Sequence, residues 1–229
     1  MLQIIIRKIT DYYNSKNRWW IPLVSGIFFS LCFPPFNHES HLLFSFFPFL
    51  SFVILIPLFG FALQKPFKRA VLHTYLYSYS ASLSQYYWIA YDNAEGLWHI
   101  ILIGLVLICA FVAVFYLLAG LLFRFINKKM PRFYVLFYPM VWVLIDYSRT
   151  LGEVSFPWGY LGYSLTPLLP LAQFASVTGV WGLTFLVLLG NILLWELAVS
   201  YYKGENCFQK QVHVAVFGLC LAIISTWGW

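Results

Sequence analysis

Asp146 and Arg149, an acid and a base three positions apart, close an apolar run. On a helix that spacing sets both on one face, within reach of each other. Ionisable groups at membrane depth are costly and are usually paired or functional. Two readings follow: a pair that braces the segment after it, or a pair whose Arg149 also meets a phospholipid headgroup. That segment carries Phe156, Pro157 and Trp158, which are either anchors at a membrane interface, the commoner use of aromatic rings there, or the wall of a groove for an acyl chain. Ser78, Ser82 and Gln85 recur at i, i+4 and i+7, flanked by Ser80 and Ser84. Such a polar stripe serves close helix packing or, less often, lines a cavity. Glu196 sits near the end of another apolar run, where it can snorkel or pair with Lys203. Cys32, Cys109, Cys207 and Cys220 are scattered and form no C-x-x-C pair, so neither a disulfide framework nor a zinc site is indicated. No metal or organic cofactor is implied.

These residues are set in a chain of 229 residues that is 62% hydrophobic and 10% charged, against roughly 45–50% and about 25% in an ordinary globular domain. So much apolar surface cannot be hidden in a soluble core of this size. Runs long enough to cross about 30 Å of hydrocarbon, each needing about 20 helical residues, recur along the whole length. They are continuous rather than alternating, so the expected fold is all-α, a polytopic membrane helix bundle, and not a barrel. Seven spans are expected, at about 19–35, 42–63, 70–91, 98–124, 133–149, 179–202 and 211–228, within a single transmembrane domain over 1–229. The third is the most polar of them, with His73 and its serines.

Charge gives an independent check, because Lys and Arg concentrate in cytoplasmic loops. With these spans, 13 of the 14 basic residues fall on one side: Arg7, Lys8, Lys16 and Arg18, then Lys65, Lys68 and Arg69, then Arg124, Lys128, Lys129 and Arg132, then Lys203 and Lys210. Only Arg149 breaks the alternation. The N-terminus is therefore expected in the cytoplasm and Trp229 outside. The net charge of +6 reads as membrane topology, not as a nucleic-acid surface. With no small-residue cleavage motif after the first run, that run is expected to be a retained span rather than a removed leader. Residues 150–178 are too rich in Gly and Pro for a regular span and too apolar for a solvated loop. They are expected to lie along the outer interface or dip into a cavity, facing either lipid or substrate.

The stretch 146–191 resembles the membrane domain of bacterial apolipoprotein N-acyltransferases. The matching elements are Asp146, Arg149, Phe156-Pro157-Trp158, Gly162-Tyr163-Ser164, Gln173 and Gly179-Val180-Trp181-Gly182. Phe33-Pro34-Pro35-Phe36 and Trp88-Ile89 agree as well. Asp146 stands where the family usually has Glu. The resemblance implies transfer of an acyl chain from a phospholipid to the α-amino group of a diacylglyceryl-cysteine, through a thioester on a catalytic Cys assisted by Glu and Lys. Family members carry those three residues in a nitrilase-like domain after the seventh span, where this chain stops. The chain is therefore expected to be catalytically silent alone, with no catalytic residue of its own: a fragment, a degenerate copy, or half of a split enzyme with a separately encoded nitrilase-like chain as its partner. Its implied place is the bacterial inner membrane, its other partners are phospholipid, lipoprotein and bulk lipid, and no nucleic acid is implied. Trp88, Asp146, Arg149, Phe156, Pro157, Trp158, Gly162, Tyr163 and Gln173 are the candidate lipid or substrate contacts. The competing readings are a purely structural membrane partner and a transporter or flippase-like protein. For the latter, paired repeats with broken helices would be expected, and no internal repeat is visible.

Overall fold

A computed structural model describes residues 19–33, 47–64, 66–91, 96–131, 133–153 and 155–227. Among these residues every regular element is a helix. In chain order they are α1 (Trp20–Ile27, drawn on as a 3-10 turn Phe28–Cys32), α2 (Phe47–Leu50), α3 (Ile56–Ala62) and α4 (Phe67–Tyr86, drawn on as a 3-10 turn Tyr87–Tyr91). After them come α5 (Trp98–Lys129), α6 (Tyr134–Ser148), a 3-10 turn Leu161–Leu165, α7 (Leu169–Ala172), α8 (Ala175–Lys203) and α9 (Phe208–Trp227). Three of these, α5, α8 and α9, are long and apolar enough to cross a membrane. The basic residues before Trp19, with Lys65 and Arg132, lie outside the described residues, as do Pro34-Pro35-Phe36.

The expected second span, 42–63, is not one helix. Within its described part, Pro48 and Pro57 each sit in the first turn of a separate short helix, where a missing N–H is tolerated. Residues 51–55 between them form turns. Their freed backbone groups find partners on other helices: the Asn191 carboxamide accepts from Leu55 N at 2.8 Å and donates to Ser51 O at 2.6 Å. The Tyr77 hydroxyl donates to Ile54 O at 2.6 Å. Irregular backbone inside a bundle needs such partners. The fifth expected span is also shorter than drawn, a helix of 15 residues, whereas α5 is longer, 32 residues or about 48 Å at the helical rise.

The polar helix α4 lies inside the bundle, packed on α1 and α5. Ser78 and Ser82 turn their hydroxyls onto the carbonyls of Thr74 and Ser78, one turn back on their own helix. With their polarity spent locally, the small side chains let neighbours approach. A Cβ at Gly26 of α1 would collide with Ser80 Oγ and the Tyr77 carbonyl, and one at Gly120 of α5 would lie 2.7 Å from Thr74 Cγ2. Aromatic rings fill the centre. Phe59 stacks on Phe123 at 4.2 Å, and Tyr138 meets both Phe123 and Trp142 edge-on.

At the end of the bundle where α8 gives way to α9, Glu196 pairs with Lys210 at 3.1 Å and accepts from the Tyr134 hydroxyl. Lys203, its expected partner, pairs instead with Glu205 at 3.7 Å. Gly204, at φ +71°, makes the left-handed turn between the two helices. Beyond it, α9 contributes no buried residue.

Candidate functional site

The helix α6 ends at Ser148, and Arg149 folds back along it. Its Nη1 donates to Asp146 Oδ1 at 3.1 Å, with both side chains almost wholly buried. Trp142, one turn earlier, donates its indole N–H to Asp146 Oδ2 at 3.1 Å. The carboxylate is thus matched on both oxygens. Nη2 of Arg149 points the other way, into the segment that follows: it donates to Trp158 O at 2.8 Å and to Phe156 O at 3.3 Å. Phe156 N returns to Arg149 O at 3.0 Å, closing the loop on itself. The guanidinium also lies 5.2 Å from the Tyr160 ring and 5.9 Å from those of Phe115 and Tyr116, a further favourable setting for a desolvated cation. Burial pushes the Tyr160 hydroxyl up to about 12 against the opposing pull of the Arg149 charge.

Helix α4 reaches the same place from the opposite side. The Tyr86 hydroxyl donates to Trp158 O at 2.9 Å, and Gln85 Nε2 donates to Gly159 O at 3.1 Å. The Tyr116 hydroxyl of α5 approaches the same Gly159 carbonyl at 3.3 Å. Gly159 has φ +73°, and a Cβ there would strike Tyr86 Oη and Gln85 Nε2; only glycine fits. With the backbone held from within, side chains face outward. Trp158 is 54% exposed and rests on Trp88, 44% exposed, with ring centroids 5.4 Å apart. Pro157 is exposed as well, while Phe156 is half-buried edge-on to Tyr86 at 5.2 Å.

Five of the nine candidate residues, Trp88, Asp146, Arg149, Phe156 and Trp158, are therefore brought together, and Pro157 lies between two of them. Gly162 serves a different contact. A Cβ there would sit 2.5 Å from the Val180 carbonyl, and its N–H donates to Thr184 Oγ1 at 3.0 Å. Gly179, at φ 65° and ψ −172°, breaks α8 just before that crossing, in a conformation essentially reserved for glycine. These motif glycines let the 3-10 turn lie directly on α8. Tyr163 is exposed on that turn, and Gln173 is exposed at the C-terminal cap of α7; neither takes part in the hydrogen bonds around Arg149. Arg149 itself is 3% exposed; its Nη donors serve this protein's own carboxylate, carbonyls and the Tyr86 hydroxyl, while Nε is buried without a hydrogen-bond partner among the described residues. The sequence reading missed Tyr86, Tyr116 and Trp142 and placed Gln85 only in the stripe; Trp142, one helical turn before Asp146, was the legible one.

This arrangement can hold the loop backbone and present its side chains outward. Among the described residues no group of three or more His, Cys, Asp and Glu side chains is placed to hold a metal.

Fold and site together define an all-helical protein with helices of membrane-crossing length, in which a buried ion pair supports an outward-facing aromatic loop. The chain belongs to the family described as the apolipoprotein N-acyltransferase N-terminal domain, whose sequence model matches residues 25–193. Among named relatives it is 24% identical over 180 residues to apolipoprotein N-acyltransferase 1 of Treponema denticola, covering 76% of this chain and 31% of the relative. It is 28% identical over 184 residues to the apolipoprotein N-acyltransferase of Neisseria meningitidis serogroup B, covering 77% and 33%. A shorter match, 33% identical over 91 residues, is to that of Geobacter metallireducens, covering 40% and 18%. The chain thus spans a third or less of the length of these relatives.

Proposed function

We propose that this chain is the membrane-embedded part of a phospholipid:apolipoprotein N-acyltransferase in a bacterial inner membrane. In this reading it crosses the bilayer seven times, with the second pass broken at residues 51–55 and the polar α4 shielded inside the bundle. The N-terminus lies in the cytoplasm, and loop 150–178 lies at the periplasmic face. The sorting of 13 of 14 basic residues to one side supports that orientation. The task is to bring the phospholipid donor and the diacylglyceryl-cysteine acceptor sideways from the outer leaflet to a nitrilase-like catalytic domain, supplying proximity.

The observation that carries this reading is the shape of the aromatic loop. The carbonyls of Trp158 and Gly159 are bound from inside, while Trp88, Pro157 and Trp158 are presented outward on a rigid base. Amphipathic rings held this way suit the boundary between headgroup and acyl chain. The test reconstitutes the chain with a nitrilase-like catalytic domain, phospholipid vesicles and a diacylated lipopeptide. The expected result is N-acylation of the lipopeptide, with photoactivatable phospholipid labelling residues 155–163. Absence of acylation together with absence of labelling there would overturn the proposal.

A further inference from the structure

Two consecutive carbonyls in the aromatic loop receive four side-chain donors. Trp158 O accepts from Arg149 Nη2 and Tyr86 Oη, and Gly159 O accepts from Gln85 Nε2 and Tyr116 Oη. Each carbonyl offers two lone pairs, so both are saturated and the peptide between them has a single orientation. Bracing the loop against Asp146 and Arg149 needs only one of these donors. The others come from elsewhere, and two of them, Gln85 and Tyr86, are adjacent residues at the end of α4. Two and three positions further on, the same segment supplies Trp88, whose ring lies against Trp158.

From this we infer that Gln85 and Tyr86 are positioning residues: one helix end both grips the backbone under Trp158 and supplies the ring that Trp158 packs on, so that the two indoles form a preset surface for the ester and headgroup boundary of a phospholipid. The lipid part of the inference rests on the proposed function above. Its physical content is preorganisation. A tryptophan on a loose loop would lose backbone freedom on meeting a lipid, whereas here the backbone beneath it is already held by buried hydrogen bonds. Geometry makes the linkage tight, because Gly159 at φ +73° has no room for a Cβ between Tyr86 Oη and Gln85 Nε2. Tyr86 also closes on Phe156 edge-on, so its ring can remain in place when its hydroxyl is removed.

The experiment uses the full chain carrying 5-fluorotryptophan, with the fluorine resonances of Trp88 and Trp158 assigned by Trp88→Phe and Trp158→Phe. Spectra are taken in detergent and in nanodiscs of phosphatidylethanolamine and phosphatidylglycerol, for the parent, Tyr86→Phe, and Gln85→Leu with Tyr86→Phe. Expected are displaced Trp88 and Trp158 lines in the variants, unmoved lines for the other tryptophans, and loss of the change that phospholipid produces in the parent's two lines. Unmoved Trp88 and Trp158 lines in both variants would overturn the positioning role while leaving the lipid reading intact. Displacement of every tryptophan line, even by the isosteric Tyr86→Phe, would overturn it too, in favour of a general packing role. If the variants move the two lines but phospholipid never does in the parent, positioning stands and the lipid surface, with the reading beneath it, falls.

Discussion

Two stretches of this molecule leave the helix while surrounded by it, residues 51–55 and 155–160, and their backbones are satisfied by different means. The first is held by neutral groups, Asn191 and Tyr77, and its ends lie in the interior: Ser51 and Leu55 are essentially inaccessible, with only Val53 exposed between them. The second is held by a buried cation in addition to neutral groups, and its side chains at Pro157 and Trp158 face out. A break that only has to exist can be closed with an amide and a phenol. A break that must keep an exposed surface in one shape has stronger support beneath it, since charge-assisted hydrogen bonds exceed neutral ones in strength.

The largest effect that would sharpen this contrast is expected from Arg149→Met, which strands Asp146 as a buried charge. Breaking such a pair costs about 3–5 kcal/mol, read as lost stability in reversible detergent unfolding. Asp146→Leu combined with Arg149→Met should lie closer to the parent than Arg149→Met alone; a double variant no better than the single would mean that the carboxylate is not what makes the loss severe. Asn191→Leu comes next, at about 1–3 kcal/mol for a buried polar group left without its partner. Hydrogen exchange should show newly labile amides around Leu55 and unchanged protection near Phe156. Exchange at both breaks would show that they are not independent. The two phenols give a finer comparison. Tyr77→Phe and Tyr86→Phe each remove one hydroxyl donor to a carbonyl, about 0.5–1.5 kcal/mol apiece. Tyr86→Phe should be the milder, because Arg149 still holds the Trp158 carbonyl and the contact it loses from Arg149 Nη2 to Tyr86 Oη is a long one, 3.4 Å. The smallest change belongs to Lys210→Ala, far in sequence from both breaks. Its pairs with Glu196 and Glu205 are partly exposed, so about 0–1 kcal/mol is expected, and a loss rivalling Arg149→Met would contradict the ranking.

Much of this architecture is written in single residues. Helical character followed from long apolar runs, and the pairing of Asp146 with Arg149 followed from a spacing of three. The outward aromatics of the loop were named from the Phe-Pro-Trp triplet. What could not be read depends on contacts distant in sequence. Nothing near Ser51 announces that Asn191 will complete it from 140 positions away; an Asn in an apolar run looks the same whether it meets lipid or a broken neighbour. Pro48 and Pro57 did mark the break locally, but averaging over a window of span length hides two prolines among phenylalanines and leucines. Likewise Gln85 was legible as part of a polar stripe, whereas its bond to Gly159 requires knowing that α4 ends under the loop.

Every residue that the fold shields most strongly lies before α9. From Phe208 to Trp227 the described helix fully buries none of its side chains; Phe217, edge-on to Phe52 and close over Gly190, and Leu221 pack against the core, and Lys210 pairs with Glu196. As the chain is made from its amino end, the residues that form the described interior are therefore all present before α9 is added. Removing α9 should consequently cost less than removing α4, whose loss would cut into buried packing that nothing else can replace.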